Sequence, residues 1–304
     1  MKWNYRYTYE TMPVCEDRAE GMKEIQGDTE AYRANLIPED LVYAEKDGKK
    51  LHIKLIYPDH LDEVRSYPLY VHIQGSAWLK QNLFDHVEDL QAVVRAGYIV
   101  AVVEYRPVPE TRFPGQVEDA KDAIRYLAAH AEELRIDADR IFVAGDSSGG
   151  HTCLLCWATW ESGELDEHPE RPLPEVRAFV DCYGVVDLEA MRTPGVVSGV
   201  KPNSAISPER LLLFGKDPDE CPEEARKASV LTYISEKTAN HPLLILHGDK
   251  DRLVHFSQSI LLYEKARKAG KDVTFYKIKG ADHGGSAFYC EAVMKELTDY
   301  LRSH

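Results

Sequence analysis

The chain has 304 residues, of which 44% are hydrophobic and 29% are charged, a composition typical of a folded globular protein. Its formal net charge of -14 argues against a nucleic-acid partner, because the phosphates would be repelled. No apolar run approaches the length of about 18 residues that a membrane span needs. The start of the chain is polar, so we expect no secretory signal, and six scattered cysteines favour a reducing cytoplasm.

Short apolar runs alternate with helical patterns from residue 50 onward. Strands are predicted over residues 51–57, 69–73, 99–105, 141–144, 178–183, 243–247 and 273–278. Helices are predicted from Pro114 onward, and over 151–160, 257–269 and 286–301. This alternation is typical of an α/β protein with a mostly parallel central sheet and helices on both faces. Ligands bind at the carboxyl ends of the strands in such folds.

Two segments interrupt the alternation. Residues 1–40 are polar and rich in tyrosine, and we expect an N-terminal extension that packs near the site of a main domain over 41–304. Residues 188–230 form a long connection between two predicted strands, and such connections inside a compact domain are usually functional or mobile. We interpret 188–230 as a lid-like insertion over the site. The alternative is a surface segment that packs away from it.

The stretch 145–150, Gly-Asp-Ser-Ser-Gly-Gly, joins a predicted strand to a predicted helix. Ser147 has Gly145 and Gly149 two positions to either side, which is the spacing of a nucleophile elbow. In that turn a strained backbone exposes the serine hydroxyl, and close approach of the flanking chain requires glycine. The alternative is an ordinary turn rich in glycine and serine.

A nucleophilic serine needs a base to accept its proton, and a carboxylate to orient that base. The loop after the strand 243–247 carries Asp249 and Asp251, and the loop after 273–278 carries His283 beside two glycines. The order serine, acid, histidine along the chain therefore predicts a catalytic triad of Ser147, Asp251 and His283. Asp249 is the alternative acid, although it could instead brace the turn by hydrogen-bonding its own backbone.

The oxyanion of a tetrahedral intermediate needs N–H donors that are already in place. We predict one donor at the backbone of Ser148, where the helix begins. Gly75 and Ser76, in the loop after the strand 69–73, are predicted to supply the other.

Three side chains are predicted to line a substrate pocket. Trp78 follows the oxyanion loop and offers a flat wall, and Leu213 and Phe214 in the insertion offer apolar surface. Cys153 and Cys156 are interpreted as buried apolar residues of a helix, so neither a metal nor an organic cofactor is predicted.

These residues resemble the α/β-hydrolase superfamily over residues 41–304. The stretches 104–110 and 113–120 and the elbow are similar to hormone-sensitive-lipase-like esterases, whereas the loops 247–254 and 280–285 resemble the feruloyl/acetylxylan-esterase-like (BD-FAE) group. The usual His-Gly-Gly-Gly/Ala oxyanion motif stands here as Gln-Gly-Ser-Ala at 74–77, which retains the backbone amides.

The resemblance implies a serine carboxylesterase that hydrolyses short-acyl or aryl esters through an acyl-enzyme, with acetyl or feruloyl esters of carbohydrate as the expected substrates. One alternative is an amidase or formamidase with the same triad. Another is an inactive hydrolase-fold binding protein. The expected partner is a small-molecule ester, and the sequence leaves the oligomeric state open, a homodimer included.

Overall fold

The computed structural model describes residues 6–8, 11–27, 33–37, 39–59, 66–192 and 207–304. Within these ranges nine strands form one sheet. The strands are β1 (Arg33–Leu36), β2 (Leu41–Lys46), β3 (Lys49–Asp59), β4 (Tyr67–Ile73), β5 (Ile99–Val103), β6 (Ile136–Asp146), β7 (Ala178–Cys182), β8 (Leu243–Gly248) and β9 (Val273–Ile278).

Helices connect most of the parallel strands. The α-helices are α1 (Gln91–Arg95), α2 (Gly115–Ala129), α3 (Ser147–Thr159), α4 (Pro208–Leu212), α5 (Pro222–Lys227), α6 (Ser257–Lys268) and α7 (Glu291–Ser303). Short 3-10 helices cover Ala190–Arg192, Pro218–Glu220 and Val230–Tyr233. None of the helices in the described ranges is long and apolar enough to cross a membrane.

The strand order across the sheet is β1-β3-β5-β4-β6-β7-β8-β9, and β2 also pairs with β3. Strands β4 to β9 run parallel to one another, while β3 is antiparallel to β5 and to both β1 and β2. The carboxyl ends of β4, β6, β8 and β9 therefore lie at one edge of the sheet, and the loops that leave these strands meet there.

The sheet buries apolar side chains on both faces. Val71, Val143 and Ile245 project into a core that packs against α2, α3 and α6. The preceding residues on the same strands, such as Tyr70 and Phe142, project into the opposite core beneath α1 and α7. This alternation follows from the two-residue period of a strand. The predicted sheet with helices on both faces is confirmed.

The ends of several elements differ from the sequence-based expectation. β1 and β2 were not predicted, because they are short and partly exposed and show no apolar run. β6 begins at Ile136 rather than at residue 141, and the exposed residues 138–140 interrupt its apolar pattern. α7 begins at Glu291, because residues 286–290 form turns closed by backbone hydrogen bonds from Phe288 and Tyr289.

The two irregular segments are described only in part. Residues 11–27 are exposed and carry neither helix nor strand, whereas 33–36 add β1 to the sheet. In the insertion, residues 193–206 lie outside the described ranges. Its described parts pack on Trp78 through an apolar cluster that includes Leu188, Leu212, Leu213 and Ala225. The assignment of 1–40 and 188–230 to the surroundings of a site stays a prediction.

Candidate active site

The turn between β6 and α3 places Ser147 at the first position of the helix with a φ of 51°, in the left-handed region. Non-glycine residues seldom adopt this conformation. The flanking chain leaves no room for side chains: a Cβ on Gly145 would lie 2.3 Å from the Gly149 carbonyl oxygen, and a Cβ on Gly149 would lie 2.0 Å from that of Ile73. The two glycines therefore allow the tight turn that presents Ser147 beyond the sheet edge.

Three loops bring Ser147, His283 and Asp251 together. The His283 Nε2 atom lies 2.8 Å from Ser147 Oγ, and His283 Nδ1 lies 2.7 Å from Asp251 Oδ2. The three residues follow β6, β9 and β8, whose carboxyl ends share one edge of the sheet. A hydroxyl, an imidazole and a carboxylate in this order can move the hydroxyl proton onto the imidazole.

Asp251 is buried and accepts several hydrogen bonds. The backbone N–H groups of Leu253 and Val254 each donate to Asp251 Oδ1 at 2.8 Å. His247 Nε2 lies 3.2 Å from Asp251 Oδ2. Burial on its own would raise the pKa of Asp251, but the bonds from His247 and His283 outweigh burial and hold the pKa well below its usual range. The carboxylate is therefore charged where it meets His283.

The two other acids of these loops have different contacts. Asp249 is exposed, and its Oδ1 accepts the Gly280 N–H at 2.6 Å, which ties the loop after β8 to the loop after β9. Asp282 accepts the Arg252 N–H at 2.9 Å and pairs with its guanidinium, which lowers the pKa of Asp282 to about 2. Of the two acids considered in the sequence, the one that contacts His283 is Asp251.

The arrangement of donors fixes the histidine tautomer. Asp251 can only accept, so His283 Nδ1 carries the proton and Nε2 presents a lone pair to Ser147. The ring of Tyr183 packs edge-on against His283 with centroids 4.7 Å apart. Gly284 has a φ of 73°, and a Cβ there would lie 2.9 Å from the Tyr183 hydroxyl. Tyr183 and the glycine loop thus hold the imidazole in place.

The loop after β4 engages two of its N–H groups within the protein. Gly75 donates to Asp146 Oδ1 at 2.8 Å, and Ser76 donates to Ser148 Oγ at 2.9 Å. Both predicted donors of this loop are therefore engaged. The backbone N–H groups of Ser148 and Ala77 have no acceptor within the described ranges. The predicted oxyanion role of Gly75, Ser76 and Ser148 stays a prediction.

Of the three predicted pocket residues, two are buried. Trp78 is 2% exposed and Leu213 is 1% exposed, in the same apolar cluster, so Trp78 does not present the open wall that we expected. The insertion that follows β7 covers it. Phe214 is 50% exposed beneath the Arg112 guanidinium, in a surface cleft whose lining includes neither Ser147 nor His283.

A hydrogen-bonded chain links the oxyanion loop to the insertion. The indole Nε1 of Trp78 donates to His151 Nδ1 at 3.2 Å, and His151 Nε2 donates to the Ala228 carbonyl oxygen at 2.7 Å. Burial lowers the pKa of His151 to about 4, so the ring is neutral near pH 7 and can make both bonds. Sequence patterns do not indicate this role of His151, because its partners lie 73 and 77 positions away in the chain.

Two groups of side chains in the described ranges have the spacing of metal ligands. One consists of Asp122, Glu167 and His168, and the Lys46 ammonium already lies 2.6 Å from both carboxylates. The other consists of His72, His86 and Asp146 beside Ser147. Cys153 and Cys156 are buried free thiols in the apolar core, as interpreted from the sequence.

The sheet order and the strand-turn-helix that carries Ser147 define an α/β-hydrolase. The BD-FAE family model matches residues 55–266, and the chain belongs to that family.

The chain is similar to several named esterases. Esterase LipC of Mycobacterium tuberculosis (strain ATCC 25618 / H37Rv) is 27% identical over 220 residues, which cover 71% of this chain and 53% of LipC. Ethyl acetate hydrolase of Pseudomonas putida is 32% identical over 154 residues, which cover 50% of this chain and 46% of that protein. The chain thus spans about half the length of the curated relatives it matches.

Among solved structures, a truncated form of a carbohydrate esterase from gut microbiota is 26% identical with a TM-score of 0.75. The alignment covers 91% of this chain and 98% of that chain. The two proteins therefore share their architecture over nearly their whole length.

Proposed function

We propose that the chain is a carboxylic ester hydrolase in which Ser147 is the nucleophile and the reaction proceeds through an acyl-enzyme. The observation that carries this proposal is the hydrogen-bonded chain from Ser147 through His283 to Asp251, with distances of 2.8 and 2.7 Å. The names of the relatives support an ester as the substrate class.

In the first half of the reaction, Ser147 Oγ attacks the ester carbonyl carbon as its proton moves to His283 Nε2. Asp251 stabilises the imidazolium that forms and keeps the proton of Nδ1 directed toward itself. The tetrahedral intermediate collapses when Nε2 returns its proton to the leaving alcohol oxygen, and the acyl group stays on Ser147. In the second half, Nε2 takes a proton from water, the water oxygen attacks the acyl carbon, and Ser147 is released with its proton restored.

The oxyanion that forms in both halves needs N–H donors near Ser147. The Ser148 N–H lies at the N-terminus of α3 and is unengaged within the described ranges, so it is the first donor. The loop after β4 supplies the second. The Ser76 N–H can donate to the oxyanion when the oxyanion replaces the Ser148 hydroxyl as its acceptor, or when both accept from it. The Ala77 N–H can donate without breaking a hydrogen bond.

The proposed substrates are short-acyl or aryl esters of carbohydrate. Support comes from the carbohydrate esterase that aligns with 91% of this chain. We further propose that the insertion shapes the acyl side of the site through the Trp78 cluster.

The test is a panel of p-nitrophenyl esters of increasing chain length beside acetylated xylan, methyl ferulate and matched amides. We expect the highest kcat/KM on acetyl or feruloyl esters and little hydrolysis of the amides. Ser147→Ala should lower kcat by about four orders of magnitude or more while circular dichroism stays unchanged. An organophosphonate should label the native chain at one serine and leave the variant unlabelled. A variant that keeps a tenth of the activity would exclude the serine mechanism.

A further inference from the structure

The Asp146 carboxylate, next to Ser147 in the chain, faces two imidazoles that the proposed mechanism does not use. His72 Nε2 lies 3.1 Å from Asp146 Oδ1, and His86 Nε2 lies 3.8 Å from Asp146 Oδ2. One ligand atom of each residue lies within 4.8 Å of the others. The side chains of His72 and Asp146 are 5% and 7% exposed, while that of His86 is 20% exposed and leaves a route to solvent.

Hydrogen bonding leaves this group incomplete. Asp146 Oδ1 accepts the Gly75 N–H, but neither nitrogen of buried His72 has a hydrogen-bond partner within the described ranges. The 3.8 Å between His86 and Asp146 is too long for a hydrogen bond. Buried polar atoms are nearly always paired. His72 Nε2 lies 3.1 Å from Asp146 Oδ1 without the alignment of a hydrogen bond, which points to a ligand that both groups bind.

The surroundings of His86 favour a lone pair on the nitrogen that faces Asp146. His86 Nδ1 lies 3.3 Å from Asp89 Oδ2 and 3.3 Å from the Tyr289 hydroxyl. An Nδ1–H donated to the Asp89 carboxylate leaves Nε2 as an acceptor directed at a second carboxylate. Two facing acceptors repel unless a cation lies between them. A carboxylate that orients a histidine in this way is common behind metal-bound imidazoles.

We propose that His72 Nε2, His86 Nε2 and the Asp146 carboxylate bind a divalent transition-metal ion, best fitted by Zn²⁺, with a fourth position open to water. Two imidazoles and one carboxylate are ligands that Zn²⁺ prefers. A tetrahedral site with bonds of about 2.0–2.1 Å separates its ligand atoms by about 3.3 Å. The separation is 3.1 Å from His72 Nε2 to Asp146 Oδ1 and 3.8 Å from His86 Nε2 to Asp146 Oδ2, and the ligand atoms of all three residues lie within 4.8 Å of one another.

The second three-residue group with metal-ligand spacing in the described ranges is already neutralised. Lys46 occupies the group formed by Asp122, Glu167 and His168. Asp251 accepts hydrogen bonds from His283 and from two backbone N–H groups. Of the two groups with metal-ligand spacing in the described ranges, the one at Asp146 is therefore the one that includes an imidazole without a hydrogen-bond partner. The proposal does not rest on ester hydrolysis.

An ion bound at Asp146 would also affect the loop after β4. The carboxylate that would bind the ion also holds the Gly75 N–H at 2.8 Å, so bound Zn²⁺ would be joined to the oxyanion loop by a single residue. We expect that Zn²⁺ at this position alters the rate of the enzyme without contact with substrate.

The experiment titrates Zn²⁺ into the full chain in competition with a chromophoric chelator. We expect one equivalent per chain. His86→Ala should weaken binding by about 100-fold or more, and Asp89→Asn, which disturbs only the orienting carboxylate, by about 10–100-fold. His168→Ala and His283→Ala are the matched controls, and both should retain native affinity. Circular dichroism and thermal unfolding should show that partly exposed His86 can be replaced without loss of the fold.

Co²⁺ provides a second measurement that needs no variant. Bound at two nitrogens and a carboxylate in tetrahedral geometry, it should give strong visible d–d bands at one equivalent. The proposal is overturned if the chain binds no Zn²⁺ under competition, if binding survives His86→Ala, or if binding is lost in His283→Ala or His168→Ala. Each of the last two results would place the ion at another site.

Discussion

The Asp251→Asn substitution tests the candidate triad, because the orientation of the new side-chain amide decides which nitrogen of His283 carries the proton. In the wild type, Asp251 Oδ1 accepts the N–H groups of Leu253 and Val254 at 2.8 Å, and Oδ2 lies 2.7 Å from His283 Nδ1. An asparagine that keeps its oxygen on the two backbone donors must turn its NH₂ toward His283. An amide NH₂ can only donate, so Nδ1 becomes the acceptor and the proton moves to Nε2. His283 then presents an N–H to Ser147 and cannot act as a base.

The size of the effect follows from the opposite orientation of the amide. If the amide oxygen turns to His283, the Leu253 and Val254 N–H groups lose their acceptor. Each buried donor without an acceptor costs about 1–3 kcal/mol. The productive orientation is therefore disfavoured by about 2–6 kcal/mol, and each 1.36 kcal/mol is a factor of about ten in rate. The same change in another Ser-His-Asp triad lowers kcat by about 10⁴. We expect a loss of about 10³–10⁴.

The assay is kcat on p-nitrophenyl acetate, with Asp249→Asn as the matched control. Asp249 is exposed and accepts only the Gly280 N–H among the described contacts, a bond that an asparagine oxygen can keep. We expect Asp249→Asn to retain kcat within about threefold and to lose at most about 1 kcal/mol of unfolding free energy. If Asp251→Asn keeps more than a tenth of the wild-type kcat, or if Asp249→Asn shows the larger loss, the tautomer argument is refuted.

Three further outcomes are expected. Ser148→Ala should free the Ser76 N–H from a bond worth about 1 kcal/mol and raise kcat on p-nitrophenyl acetate about fivefold, whereas a tenfold loss would show that the hydroxyl supports the loop. Gly149→Ala should cost about 3 kcal/mol in urea unfolding, because its Cβ would lie 2.0 Å from the Ile73 carbonyl oxygen, and native stability would contradict this. The pKa of Asp251 is lower in the folded chain than its unfolded value of about 3.9, so the stability it contributes is fully present above that pH and is lost below it. Urea unfolding from about pH 6 to pH 3 should therefore show a steeper loss for the wild type than for Asp251→Asn.

The sequence indicates which loops meet at the candidate site, because the order of parallel strands decides it. Parallel strands end at one edge of a sheet, so residues that follow β6, β8 and β9 meet there although they are far apart in the chain. The turn at Ser147 is visible because only glycine fits where a Cβ would lie within 2.3 Å of backbone. The sequence distinguishes less clearly which of Asp249 and Asp251 contacts His283, because this depends on which side chain points inward.

Packing decides what the pattern leaves open. Trp78 follows a loop of small residues, and its neighbours in sequence give no sign that it is covered. Its burial depends on Leu213 and Ala225, which lie more than a hundred positions away, and on the His151 nitrogen that accepts its indole N–H. An aromatic residue next to a site is thus equally consistent with an open wall and with a core residue until the covering segment is placed.

In the loop after β4, single hydrogen bonds from residues distant in sequence likewise decide what the local sequence leaves open. A small-residue loop after β4 predicts that backbone amides are available at the sheet edge, but the structure engages those of Gly75 and Ser76 within the protein. Whether these N–H groups are engaged depends on side chains where β6 meets α3: Asp146 accepts the Gly75 N–H, and the Ser148 hydroxyl accepts that of Ser76. Both acceptors flank Ser147, so the residues on either side of the proposed nucleophile also determine which amides of the loop are engaged. We therefore expect Ser148 to affect the rate through its side chain as well as through its backbone N–H.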